Sequence, residues 1–224
     1  MDILKQQLKR KASLIRLDET VSFADVYASY FGVVRLAATN EGWPIHNGKP
    51  MTPLCQINCL ELPFRPDSLA DIALITTFIA ADELPLDSPN GDGWALRVYK
   101  ELNSLIQIEA PRYSDPVKPY PIRWEVTEYD YPCLDDVTIA LPAEVEENYD
   151  ELFINQNGSK VGGWPSLIQS EIYWAPWNKH DAKPEYVFQI DSEEKANWQW
   201  GDAGVGYFGR GTTRDEWAFT WQCY

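Results

Sequence analysis

At 224 residues, with 45% hydrophobic and 24% charged side chains, the chain has the composition of a folded globular domain, and ten Trp and twelve Tyr exclude a disordered one. Thirty-four Asp and Glu against nineteen Lys and Arg give a net charge of −15, which disfavours nucleic-acid backbones and anionic membranes and favours basic partners. The length suits one domain over residues 1–224.

The chain opens with a predicted amphipathic helix over about residues 2–16. Leu4, Leu8, Leu14 and Ile15 form its apolar stripe, and Lys5, Lys9, Arg10 and Lys11 its polar face. Five basic residues and one acidic residue make this segment +4, so the rest of the chain carries −19. No apolar run of signal-peptide type follows, and none reaches the roughly 20 residues of a membrane span. A cytoplasmic location is therefore expected, with Cys55, Cys59, Cys133 and Cys223 as reduced thiols.

Short strand-like runs follow, punctuated by sixteen Pro and thirteen Gly. Candidate strands are Leu54–Leu60, Ile72–Ile79, Trp94–Tyr99, Val137–Leu141, Tyr186–Ile190, Val205–Phe208 and Trp217–Cys223. A short helix is predicted within Ala143–Phe153, where Glu144 and Glu147 suit an early turn.

Four anchors recur in order. Gly42-Trp43-Pro44 returns as Gly163-Trp164-Pro165, and Gln56-Ile57-Asn58 as Gln189-Ile190-Asp191. Phe78-Ile79 is matched with Tyr207-Phe208, and Trp94-Ala95 with Trp217-Ala218. The order predicts two diverged modules, over about residues 41–100 and 160–224, joined by an acidic segment over about residues 124–159. In each, the Trp is expected to cover a sheet end with its indole N–H on a carbonyl. The Gln is expected to satisfy backbone groups of a neighbouring loop.

The run Lys160-Val161-Gly162-Gly163-Trp164-Pro165, with Val187-Phe188-Gln189-Ile190-Asp191 and Trp200-Gly201-Asp202-Ala203-Gly204, resembles the YwqG-like family. In the first half, Trp43-Pro44, Gly48-Lys49-Pro50 and Cys55-Gln56-Ile57 agree with it. The resemblance implies an α+β, β-rich, internally duplicated fold of two similar sheet modules with a few helices. It implies no mechanism, because that family has no established activity, and no active site carries over. The family's association with secreted-toxin loci implies an immunity-type role for some members.

No catalytic constellation is present. Gly158 to Gly163 lacks the order of a phosphate loop, no G-x-S-x-G elbow occurs, and His46 and His180 sit in no recognisable motif. The cysteine spacing matches no zinc pattern, Asp191, Glu193 and Glu194 lack a calcium-loop arrangement, and neither metal nor cofactor is expected. Between Trp124 and Ser159 there is no Lys or Arg and there are ten carboxylates. Glu144, Glu146, Glu147, Asp150 and Glu151 are the residues expected to meet a basic protein, such as a toxin or nuclease effector, in an occluding, non-enzymatic complex. The alternative is a small-ligand or carbohydrate-binding module using Trp174, Trp177, Trp198, Trp200 and Asp202. An unrecognised hydrolase is a third expectation.

Overall fold

The computed structural model describes residues 1–20, 22–112, 117–174, 184–211 and 216–224. Its strands are β1 (Arg10–Leu17), β2 (Tyr30–Phe31), β3 (Leu36–Ala38), β4 (Ile45–His46), β5 (Lys49–Pro50), β6 (Thr52–Asn58) and β7 (Leu74–Ile79) in the first half. There follow β8 (Trp94–Tyr99), β9 (Leu105–Gln107), β10 (Tyr120–Asp130), β11 (Lys160–Gly162), β12 (Glu185–Asp191), β13 (Val205–Arg210) and β14 (Trp217–Gln222). Three short helices join them: α1 (Asp2–Leu8), α2 (Ala143–Glu147) and α3 (Tyr149–Leu152).

Ten strands make one sheet in the order β14-β13-β12-β11-β1-β10-β2-β6-β7-β8. The antiparallel pair β1–β10 lies at its centre, with one four-strand arm on each side. The sheet curls until its two borders meet: Trp94 of β8 packs 5.3 Å from Phe219 of β14, and Trp221 donates to the carbonyl of Pro85. One core fills the space between the arms, with Leu54, Ile57, Ile75 and Trp94 on one side and Val187, Phe188, Phe208 and Phe219 on the other. Each of these large apolar side chains contributes about 1.5–3 kcal/mol by leaving water.

Local periodicity loses to pairing at the N-terminus. Only Asp2–Leu8 is helical, and Arg10–Leu17 is a central strand flanked by β10 and β11. Ala12, Ser13, Leu14 and Ile15 are consecutively buried, as a strand covered on both faces requires. A run this short fits a helical or an extended period, and the long-range ladder decides. The predicted strand at Val137–Leu141 is instead irregular, following a 3-10 turn at Leu134–Asp136. Val137 and Leu141 pack with Tyr131, Val145, Tyr149 and Phe153 beneath the two short helices.

Tyr120–Asp130 is a strand that charge concealed. Glu125 bonds Arg16 at 2.9 Å and Arg123 at 2.7 Å, and Glu128 meets Lys11 at 2.9 Å. The first seven residues of the acidic segment are therefore part of the sheet's central pair.

Registers relate the two arms position by position. Tyr30 lies opposite Gln56, and Lys160 opposite Gln189; Gln56 then faces Thr76, and Gln189 faces Tyr207. Trp94-Ala95 and Trp217-Ala218 also fall at matching positions. Two of the sequence anchors do not. Thr76-Thr77, not Phe78-Ile79, corresponds to Tyr207-Phe208. The Gly-Trp-Pro copies are also out of step, because Gln56 accepts from the N–H of Arg35 while Gln189 accepts from that of Ser166, directly after Pro165. Trp43 lies edge-on to Phe78, and at the corresponding Gly209 the ring of Trp174 takes the space, 2.7 Å from where a Cβ would stand.

One border is closed locally. The amide of Asn90 accepts from the N–H of Leu96 in β8 and donates to its carbonyl, both at 2.9 Å.

Candidate functional site

The five carboxylates nominated from sequence lie on α2 and α3, and all are exposed. Pro142 starts this unit, and its hydrophobic side is fixed by stacking of Tyr149 on Phe153 at 4.7 Å and by Tyr131 edge-on to Phe153. Leu4 and Leu8 of α1 join the same cluster, so this helix, with only Asp2 and Lys5 charged, docks on the body beside the acidic unit. Among the described residues none of Glu144, Glu146, Glu147, Asp150 and Glu151 makes an ion pair, while Lys9 lies over the Tyr129 ring. The ten carboxylates thus divide: Glu125, Glu128 and Asp130 pair with cations of the sheet, Asp135 and Asp136 lie in the 3-10 turn after β10, and the helical five face outward.

Asp130 and Lys160 anchor this unit to the sheet. Both side chains are fully buried and meet at 2.9 Å. Asp130 also accepts from the N–H groups of Gln156 and Trp164 at 2.8 Å, and Lys160 donates to the carbonyl of Gln156. Burial lowers the Lys160 pKa, and the charge and hydrogen bond of Asp130 act against that. A pair satisfied on both sides is stable as a unit and costly to break from one side. Gly163 permits it, since a Cβ there would lie 2.0 Å from Asp130 Oδ2, at φ +72°.

The tryptophans separate likewise. Trp200 is fully buried and offers no face to a ligand, and Trp198 is nearly so, packed edge-to-face with it at 4.9 Å. Gly206 makes this packing fit, because a Cβ there would stand 2.5 Å from the Trp200 ring. Asp202 is exposed in the turn that follows. Trp177 and His180 lie outside the described residues. Trp43 and Trp164 donate their indole N–H to the carbonyls of Met51 and Leu8, at 2.8 and 2.7 Å. Gln56 donates to the carbonyls of Val26 and Ala28, and Gln189 to that of Gly158. These four residues do the structural work expected of them. His46 accepts from the N–H of Gly93 and serves a loop.

Of the nominated ring platform, Trp198 lines an open cavity of about 240 Å³ beside Asp82, Glu83 and Asn197, and Trp174 borders a second one. This cavity, about 140 Å³, lies beside the outer face of the second arm and is lined by Arg10, Asp136, Trp164, Glu171, Trp174 and Tyr186. The Arg10 guanidinium stacks on Trp164, 3.4 Å from the ring centroid. Among the described residues it makes no hydrogen bond and no ion pair. Arg10 as a whole residue stays exposed; partial burial of its guanidinium lowers the pKa from the usual arginine value, while Asp136, Glu185 and Asp130 oppose the shift. Sequence reasoning missed Arg10 as a lining residue because it was assigned to a helix. It missed Tyr186 and Asp136 because only the sheet order brings β1, β12 and the turn after β10 together.

Among the described residues no three His, Cys, Asp or Glu side chains are grouped to hold a metal ion. All four cysteines are free, and burial pushes the Cys55 and Cys59 thiols up to about 12. No helix among the described residues is long and apolar enough to cross a membrane. Residues 29–209, most of the chain, match a family model described as a domain of unknown function, DUF1963. None of the curated proteins matches the chain.

Proposed function

The chain belongs to the DUF1963 family, whose description assigns no activity, and we propose from its geometry that it is a non-enzymatic binding protein that presents the α2–α3 carboxylates to a basic protein. The observation that carries this reading is that five carboxylates stay exposed and unpaired on a platform fixed by buried aromatics and the Asp130–Lys160 pair. A fixed acidic surface accelerates capture of a cationic partner and can cover a cationic active site. The YwqG-like resemblance adds the finer reading, an immunity-type inhibitor of a basic toxin acting in the cytoplasm. The matched arms, down to Ser29 and Ser159 accepting from the N–H groups of Asn58 and Asp191, support a duplicated module as its scaffold.

The test is association kinetics with a basic toxin or nuclease encoded beside this chain. Raising salt from about 0.05 to about 0.5 M is expected to slow association by about tenfold or more, and the double variant Glu146→Lys, Glu147→Lys to slow it comparably at low salt. Indifference to both salt and charge reversal would falsify the reading. A second reading, small-ligand binding, is favoured by one observation: the cavity at Trp174 holds a stacked arginine with no partner among the described residues.

A further inference from the structure

Arg10 brings guanidinium N–H donors to the cavity wall, and no acceptor among the described residues meets them. Stacking on Trp164 already fixes the plane of the group, so little side-chain entropy remains to be lost when an acceptor arrives. A planar fork held in this way matches a carboxylate, which it can take with two parallel hydrogen bonds. The opposite sign is present in the same wall, as Asp136 and Glu171. A simple anion would meet those two carboxylates and the field of a chain with net charge −15. A simple cation would meet Arg10. A small molecule carrying both charges on groups joined through one carbon satisfies both sides and is neutral overall.

Trp174, Tyr186 and Ile172 supply apolar wall. The volume of about 140 Å³ lies below the roughly 300–1,000 Å³ of drug-sized sites, which limits the occupant to a few heavy atoms. We infer that this cavity binds a free α-amino acid, its carboxylate on Arg10, its ammonium toward Asp136 and Glu171, and its side chain against Trp174. The inference rests on the small-ligand reading and narrows it to one chemical class.

Saturation-transfer NMR on the full chain, with the common α-amino acids, their carboxamides and a panel of monosaccharides, tests it. At least one amino acid is expected to bind at millimolar concentration or below, its carboxamide about tenfold more weakly. Arg10→Gln is expected to weaken the amino acid by a similar factor, while Glu101→Gln, exposed just after β8, leaves it unchanged. The carboxamide comparison uses the unaltered protein, so it stands even if Arg10→Gln disturbs folding. Equal binding of acid and amide, or a saccharide bound in place of any amino acid, overturns the zwitterion assignment and leaves the small-ligand reading intact. Absence of any ligand at about 10 mM removes both.

Discussion

The two arms of the sheet solve one backbone problem with different chemistry. Each places a Gln in its second strand, Gln56 and Gln189, whose oxygen accepts an N–H from a returning loop and whose nitrogen feeds a carbonyl. Opposite that Gln, the first arm has Tyr30, whose hydroxyl donates to the carbonyl of Asp25. The second has Lys160, whose ammonium reaches Asp130. Two residues beyond the Gln, neutral Asn58 corresponds to Asp191. Positions that satisfy backbone are alike in the two arms, and positions that carry charge differ in the arm that supports both the acidic platform and the cavity.

The Tyr30–Lys160 contrast breaks first under mutation. Lys160→Met leaves Asp130 buried without its cation and is expected to lower stability by about 3–5 kcal/mol in urea unfolding. Tyr30→Phe removes one hydrogen bond and is expected to cost about 1 kcal/mol. Equal losses would show that Lys160 is no more than a packing residue. The amide pair sharpens the comparison: Gln56→Ala and Gln189→Ala each strand a loop N–H and are expected to cost about 1–3 kcal/mol. Gln56 should cost more, since it also holds two carbonyls.

The smallest effect distinguishes Asp191 from Asn58. Burial raises the Asp191 pKa, against hydrogen bonds from the N–H groups of Ser192 and Gly158. The folded state therefore holds this proton more tightly than the unfolded chain, whose carboxyl titrates near about 3.9. Its favourable contribution is complete below that value and is lost as pH rises through the raised folded value. Asp191→Asn is accordingly expected to raise stability at pH 7 by about 1 kcal/mol or less, with the advantage fading as pH falls through the raised folded value and gone below about 4. A constant difference across pH would assign the effect to packing.

Much of the scaffold was legible because its signals are local. Strands such as Trp94–Tyr99 and Trp217–Gln222 announce themselves by β-branched and aromatic runs between turn residues, and Gln56 and Gln189 by their shared context. The missed strand Tyr120–Asp130 carries charges whose partners, Lys11, Arg16 and Asp18, lie about a hundred residues away in sequence. Nothing near Glu125 or Glu128 distinguishes a paired carboxylate from a solvated one. Trp200 misled for the same reason: a ring seated on Gly206 and a ring facing a cavity look alike in sequence. The cavity was illegible because sheet order, not spacing, assembles it.

The side-chain amide of Asn90 has a consequence for the molecule in a crowded solution. It grips both the N–H and the C=O of Leu96, standing in for the peptide group of a strand that would otherwise add there. A second chain approaching that rim finds the central rung already taken, so edge-to-edge growth from this border is blocked. One short polar side chain thereby guards the β8 border of a highly aromatic, ten-stranded sheet against templating its own aggregation.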